Sequence, residues 1–167
     1  ISEHVSEELA KAGWPAEQVV HNVVGVDLER FRARVDRQPE DVRREFGIAE
    51  DKTLIVMVGN LQAWKGHDAV ISAIDKIPEK EREKLFFLFA GAVRPEDEAY
   101  LARLEGRAAE GGFSQNIHFA GSRTDVPSLG NAADIMLHAS TVAEPFGIVL
   151  VEALALGKPL VAASIGG

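Results

Sequence analysis

The chain has 167 residues, of which 46% are apolar and 26% are charged, and its net charge is -8. This composition fits one globular domain and disfavours both a disordered chain and a general nucleic-acid-binding surface. The absence of cysteine excludes a disulfide scaffold, a thiolate zinc site and a cysteine nucleophile. No apolar stretch approaches the roughly 18 residues that span a bilayer. The N-terminus has neither the basic flank nor the apolar core of a signal peptide. We expect a cytoplasmic protein, at most membrane-peripheral in its full-length form.

The first fifty residues differ in character from the rest, and we interpret residues 1–50 as an N-terminal or interdomain segment. Residues 2–12 have the spacing of an amphipathic helix that ends at Gly13, and residues 18–24 resemble a short strand. Residues 28–45 are rich in both charges, and we expect a solvated surface there, with a nucleic-acid patch as the disfavoured alternative. Their arginines are Arg30, Arg32, Arg34, Arg37, Arg43 and Arg44.

From residue 51 onward, apolar runs of strand length alternate with helical patterns. Their continuous apolar character indicates strands buried on both faces of a parallel sheet. The alternation predicts an α/β fold over residues 51–167, with a doubly wound, Rossmann-like parallel sheet and helices on both faces. The runs cover residues 53–58, 85–90, 117–120, 134–139 and 159–163, and the helical patterns cover residues 66–77, 95–110, 125–132 and 146–156.

The chain begins at Ile1 without an initiator methionine and stops at Gly167, directly after an apolar run. A glycine-rich turn after a strand normally leads to another element. We therefore expect the chain to be part of a longer protein, with the Rossmann-like domain truncated at its C-terminal end.

The helical pattern at residues 146–156 is apolar all round apart from Gly147 and Glu152. Such a helix is typically buried between other layers, where an ionised carboxylate needs a partner. A lysine or a backbone donor could partner Glu152. Two adjacent ribose hydroxyls could do so as well, because dinucleotide-binding folds use an acid in this way.

The segment before this helix combines the features of an anion site. Glu144 follows the strand of residues 134–139, at the carboxyl end where open α/β sheets bind ligands. Pro145 favours a first helical turn, and Gly147 lets a ligand approach the backbone amides of residues 146–148 at a helix N-terminus. The alternative for Glu144 is an ordinary acid that favours the helix start.

A second strand–loop–helix segment carries a candidate phosphate ligand. Gly59 and Gly66 bracket a loop that contains Lys65, whose cation could hold a phosphate. A surface lysine is the alternative, and we expect Trp64 to pack rather than to stack on a base. The five histidines lack the spacing of metal ligands, so we expect no metal site. We interpret His138, at a strand end, as a core histidine, with a side chain that faces the site as the alternative.

Four stretches together resemble the C-terminal, donor-binding domain of the retaining glycosyltransferases of family 4, also called glycosyl transferases group 1. They are residues 25–31, 59–66 and 119–122 and, above all, residues 144–167. In the last stretch Glu-Pro-Phe-Gly is followed by a second glutamate and then by Ala-Leu-Gly-Lys-Pro. The resemblance covers nearly the whole chain and implies the C-terminal half of a GT-B fold.

The resemblance implies a nucleotide-sugar donor, a UDP- or GDP-sugar, that is transferred with retention and without a cofactor or a metal. It implies that Glu144 contacts the donor-sugar hydroxyls, that Glu152 contacts the ribose hydroxyls and that Lys65 contacts the diphosphate. Glu144 and Lys65 become the candidate catalytic residues. Asn60 stands where the family usually has an arginine. The second cation that would bind the diphosphate beside Lys65 is therefore missing. The further donor contacts implied are Gly59, Asn60, Ser122, Arg123, Pro145, Phe146, Gly147 and Ile148.

The resemblance also implies an N-terminal domain that holds the acceptor, which is a glycan, a lipid or a small molecule. No residue of this chain is an evident general base, so we expect the chain alone to bind the donor without catalysing hexosyl transfer. Two alternatives stay open. One is another GT-B relative, such as a nucleotide-sugar epimerase or a phosphorylase, and the other is a non-catalytic nucleotide-binding module, which Asn60 favours.

Overall fold

The computed structural model describes residues 3–20 and 25–165. Within them, five strands form one sheet in the order β3-β2-β1-β4-β5, and every pairing is parallel. The order reverses between β1 and β4, which makes the crevice at their carboxyl ends the topological switch point of a doubly wound sheet. The strands are β1 (Thr53–Val58), β2 (Leu85–Ala90), β3 (Ile117–Gly121), β4 (Ile135–His138) and β5 (Leu160–Ala162).

Helices connect these strands, and the four predicted in the sheet region are present as α4, α6, α7 and α8. Helix α5 was not predicted, because a four-residue helix is too short to show a period. None of the helices in the described ranges combines the length and the apolar character needed to cross a bilayer. The α-helices of the described ranges are α1 (Glu3–Lys11), α2 (Leu28–Arg32), α3 (Pro39–Glu45), α4 (His67–Asp75), α5 (Glu79–Arg82), α6 (Glu98–Glu110), α7 (Val126–Ala132) and α8 (Ile148–Ala155).

The sheet has a helical layer on each face, so the predicted fold class is confirmed. Helices α3, α7 and α8 cover the face that carries Leu54, Val56 and Leu88. Helices α4 and α6 cover the face that carries Met57 and Phe89. Successive side chains of one strand point to opposite faces, and both faces here are buried. This burial explains why the strands read as continuous apolar runs.

The strand predicted for residues 18–24 is wrong where the structure describes it. Ala16–Gln18 forms a 3-10 turn, and residues 19–20 are not in a strand. Residues 19–20 therefore add no strand to the sheet, whose edge strands are β3 and β5. Residues 21–24 lie outside the described residues. The helix predicted for residues 2–12 is present as α1, none of whose residues is buried.

Most of the charge-rich segment at residues 28–45 is exposed, as expected, but parts of it also pack against the domain. Its helices α2 and α3 bury Phe31 and Val42. Arg32 donates from Nε to the carbonyl of Ala155 at 2.6 Å, and Arg43 pairs with Asp134 at 2.6 Å. An arginine can tie two segments together because its planar fork presents five donors, and charge content alone does not reveal such long-range partners. The division of the chain at residue 50 stays a prediction.

Candidate functional site

Two loops meet at the topological switch point of the sheet. Residues 59–66 follow β1, and residues 139–147 follow β4. Because β1 and β4 pair directly, the loops that leave their carboxyl ends are neighbours. The amide of Thr141 donates to the carbonyl of Trp64 at 2.8 Å, which joins the two loops. The sheet order therefore brings together the two segments that the sequence marked for ligand binding.

Lys65 and Glu144 form an ion pair across these loops. The Lys65 Nζ lies 2.7 Å and 3.0 Å from the two carboxylate oxygens of Glu144. The two side chains are 18% and 13% exposed, and Nζ also lies 4.1 Å from the ring centre of Trp64. Burial alone would raise the pKa of the Glu144 carboxyl, but hydrogen bonds from Lys65 and Ser140 outweigh it and lower that pKa. Glu144 is therefore held ionised, opposite a cation.

Two further side chains contact Glu144. The Ser140 hydroxyl donates to Oε2 at 2.9 Å, and His138 Nε2 lies 3.4 Å from the same oxygen. His138 is buried, as expected for a core histidine, yet it also touches the site. Its Nδ1 has no hydrogen-bond partner among the described residues. Ser140 was missed by sequence reasoning. Its position directly after the predicted strand of residues 134–139, and before Glu144, was the available signal.

The close approach of the two loops depends on Gly66. Its φ is 83°, and a Cβ atom there would lie 1.8 Å from the carbonyl oxygen of Ala139. Gly59 lies beside the Lys65 side chain, since a Cβ atom on Gly59 would be 3.6 Å from Lys65 Cδ. Asn60 accepts from the amide of Ala92 at 3.3 Å. This side chain therefore ties the loop after β1 to the loop after β2.

Ser122 and Arg123 line a cleft at the carboxyl ends of β1, β2 and β3. The cleft has a volume of about 150 Å³ and also contacts Gly59 and Asn60. Ser122 and Arg123, which the family resemblance places beside the base, therefore share a cleft with the loop of residues 59–66. The Arg123 guanidinium, however, is engaged by the carboxylates of Glu45 and Asp125.

Helix α8 begins later than predicted, at Ile148 instead of residue 146. Gly147 has a φ of 70°, so Phe146 and Gly147 belong with Pro145 to the preceding loop. The amides of residues 147–149 donate to no acceptor in the described part of the chain. These amides overlap the predicted set of residues 146–148 and are available as donors at the start of α8.

The predicted burial of this helix on all sides is also wrong. Ile148 is 46% exposed and Leu154 is 67% exposed, whereas Ala153 and Ala155 are buried. The described residues leave the side chains of Ile148 and Leu154 largely uncovered. An all-round apolar pattern indicates that a helix is buried, but it does not identify the element that covers it.

Glu152 lies on α8, one turn beyond Ile148, and is half-buried. Burial raises the pKa of its carboxyl, and the charge of Arg34 opposes this only in part. No hydrogen bond or ion pair to this carboxylate is formed by residues 3–20 or 25–165. Among the described residues, neither a lysine nor a backbone donor therefore bonds to Glu152, although the sequence allowed both. The option of ligand hydroxyls stays open.

No group of three or more His, Asp or Glu side chains in the described ranges is arranged to hold a metal ion. The charged groups at the switch point are those of Lys65 and Glu144, with Glu152 further along α8. Together with the amides of residues 147–149 they can bind an anion and accept hydrogen bonds from hydroxyls.

Comparisons with known proteins find matches along most of the chain. The family model described as "Glycosyl transferases group 1" matches residues 38–167. Lipopolysaccharide glucosyltransferase WaaG of Escherichia coli is 31% identical over 138 residues, which cover 83% of this chain and 35% of that protein. D-inositol 3-phosphate glycosyltransferase of Mycobacterium marinum is 36% identical over 151 residues, which cover 89% of this chain and 30% of that protein.

A solved structure extends the likeness to three dimensions. Alr3699/HepE of Anabaena, in complex with UDP-glucose, superimposes with a TM-score of 0.86 at 30% identity, over 99% of this chain and 44% of that one. This chain thus spans about a third of the curated relatives named here and less than half of the solved one. Because the family model covers well over half of its residues, the chain belongs to the glycosyl transferases group 1 family, as a C-terminal, donor-binding domain of the GT-B fold.

Proposed function

We propose that the chain binds the nucleotide-sugar donor of a retaining hexosyl transfer, and that a domain outside the chain holds the acceptor. A UDP-sugar is the first candidate donor, because the Anabaena relative was solved with UDP-glucose. A GDP-sugar is the second candidate donor. The acceptor would be a glycan, a lipid or a small molecule, and a cytoplasmic location stays a prediction.

The observation that carries this proposal is the carboxylate of Glu152. It is half-buried, its pKa is raised by burial, and no described residue bonds to it. A carboxylate in such a place is costly unless something donates to it. Adjacent ribose hydroxyls are suitable donors, because one carboxylate can accept from both of them.

The rest of the donor extends from Glu152 in two directions. Arg34, whose charge acts on Glu152, donates to the carbonyl of Thr124, so the cleft at Ser122 and Arg123 lies on that side and suits the base. On the other side, the amides of residues 147–149 and the ammonium of Lys65 suit the diphosphate. The sugar would then lie against Glu144.

This arrangement suggests how the chain assists transfer. Negative charge develops on the diphosphate as the bond to the sugar breaks, and Lys65 and the α8 amides stabilise it electrostatically. Glu144 accepts from sugar hydroxyls and fixes the sugar's position. Before binding, Glu144 occupies Lys65 itself. Donor binding therefore exchanges one ion pair for two sets of ligand contacts, and Lys65 keeps a negative partner throughout. We propose that neither a metal nor a cofactor takes part.

Titration calorimetry of the chain with UDP, GDP, UDP-glucose, uridine and pyrophosphate, each with and without EDTA, tests this proposal. We expect UDP or GDP to bind, the matching nucleotide sugar to bind more tightly, and EDTA to change neither value. Absence of binding by every nucleotide would contradict the donor assignment. Loss of binding in EDTA would contradict metal independence but would leave the donor assignment intact.

A non-catalytic nucleotide-binding module is the second candidate, and Asn60 favours it. Its side chain is engaged with the amide of Ala92 and supplies no charge to the diphosphate. The module and the enzyme would bind the same nucleotides, so binding does not separate them. Release of free glucose or a glucosylated product from UDP-glucose by the full-length protein would support the enzyme, and tight binding without turnover would support the module.

A further inference from the structure

Four charged side chains form a closed network between α3 and the loop that follows β3. Arg37 Nη1 lies 2.6 Å from Glu45 and 2.8 Å from Asp125. Arg123 Nη1 lies 2.8 Å from Glu45, and Arg123 Nη2 lies 2.8 Å from Asp125. Each arginine therefore contacts both acids, and each acid contacts both arginines. We call these four residues the arginine–carboxylate network.

The network is stronger than a set of exposed surface pairs. Its side chains are 16–31% exposed, so solvent screens them only in part. Hydrogen bonds from Arg123, opposed by burial and aided by Arg37, lower the pKa of Asp125 to about 2. Hydrogen bonding to Arg123 also lowers the pKa of Glu45. All four groups are thus charged at neutral pH and hold one another in place.

The network fixes the loop that lines the cleft assigned above to the base. Residues 122–126 are called the base-side loop, because Ser122, Arg123 and Val126 line that cleft. Two further ties come from the same charge-rich segment. Arg34 donates to the carbonyl of Thr124 at 3.3 Å, and the Asp36 carboxylate accepts from the Ser128 hydroxyl just beyond the loop at 2.8 Å.

The guanidinium of Arg123 has few N–H donors left for a ligand. Nε and Nη2 donate to Asp125 at 2.8 Å each, and Nη1 and Nη2 donate to Glu45 at 2.8 Å and 3.3 Å. Four of its five N–H groups are used in this way. Arg123 therefore lines the cleft with its guanidinium already bound to Asp125 and Glu45, which hold its side chain in place.

We propose that Glu45 and Arg37 are positioning residues for the nucleobase: through the arginine–carboxylate network they hold the base-side loop in its binding geometry without touching the donor. This inference rests on the donor-binding function proposed above. It gives Arg37 and Glu45, in the charge-rich segment, a role in nucleotide affinity through the base-side loop.

The test compares Glu45→Gln with wild type, using uridine, UDP, GDP and pyrophosphate as probes in calorimetry. Glutamine keeps the size of the side chain but removes one of the two negative charges that hold both arginines. We expect uridine and the tighter nucleoside diphosphate to bind about tenfold more weakly, equivalent to about 1.4 kcal/mol. Pyrophosphate affinity should be unchanged. The matched control is Asp68→Asn, which breaks the pairs with Arg107 and Arg103 away from the cleft and should change no affinity.

Hydrogen exchange provides a readout that needs no ligand. Amides of residues 122–126 should exchange faster in Glu45→Gln than in wild type, and those of β1 should not. Unchanged nucleoside affinity together with unchanged exchange would overturn the positioning role while leaving donor binding intact. Equal loss for uridine and pyrophosphate would overturn it too, since that would indicate a general structural effect. Wild-type protein that binds neither UDP nor GDP would instead refute the donor assignment on which the inference rests.

Discussion

Replacing Glu152 with glutamine is expected to move two measured quantities in opposite directions. The free energy of unfolding without ligand should rise, and nucleotide affinity should fall. Both expectations follow from one feature, a half-buried carboxylate to which no described residue donates. Glutamine has nearly the same shape, so the change removes charge and little else.

The sign and size of each effect follow from the surroundings of Glu152. Burial raises the pKa of its carboxyl, which means that folding disfavours the ionised form, and neutral glutamine avoids that cost. No described hydrogen bond is lost in exchange. With ligand, a charge-assisted hydrogen bond contributes roughly 1.5–3 kcal/mol. Its loss would raise the Kd for UDP about 10- to 150-fold.

Urea unfolding and calorimetry with UDP measure the two quantities on the same protein. The stability gain over wild type should be largest at neutral pH. It should shrink as the pH falls through the raised pKa and vanish below 4.5, where wild type is protonated in both states. Glu105→Gln, on an exposed position of α6, is the control and should change neither quantity.

Two results would refute the assignment of Glu152. An unchanged Kd for UDP would show that the carboxylate does not contact the nucleotide. A marked loss of stability without ligand would show that it makes protein contacts on which the fold depends.

Three further predictions concern the loops and the core. Lys65→Ala should weaken pyrophosphate and UDP but not uridine in calorimetry, and equal losses for uridine and UDP would exclude a phosphate role. Gly91→Ala places a Cβ atom 1.9 Å from the Gly59 carbonyl oxygen and should cost about 1–3 kcal/mol in urea unfolding. Gly106→Ala, in open space on α6, should be neutral or stabilising, and equal effects would contradict the clash. Burial lowers the pKa of His67 to about 4. As pH falls from 6.5 to 4, only the unfolded chain gains that proton, so stability should drop by up to about 3 kcal/mol. His67→Gln should remove this part of the pH dependence, and an unchanged profile would show that His67 is not responsible.

The sheet region could be predicted from the sequence because its signals are local. Continuous apolar runs located all five strands to within about two residues, since both faces of a parallel sheet are buried. The start of α8 could not be predicted, because Pro145 is typical of a first helical turn. The left-handed φ of Gly147, which delays the helix, depends on the surrounding loop.

The relations within the site could not be predicted from single positions. Lys65 and Glu144 were each proposed to contact the donor, but their ion pair joins residues 79 apart in the chain. It depends on β4 pairing with β1, which a sequence pattern does not specify. The same holds for Arg123 and Glu45, 78 residues apart. Charge content marked the segment of residues 28–45 as polar, and only the fold shows which acids and carbonyls its arginines reach.

A crystal structure of the chain with UDP-glucose would test donor binding at the switch point most directly. We expect the Glu152 carboxylate within about 3 Å of both ribose hydroxyls, Lys65 Nζ moved from Glu144 to a diphosphate oxygen, and Glu144 on the sugar. A nucleotide bound away from the crevice between β1 and β4, or a ribose that leaves Glu152 without a donor, would contradict the proposed site.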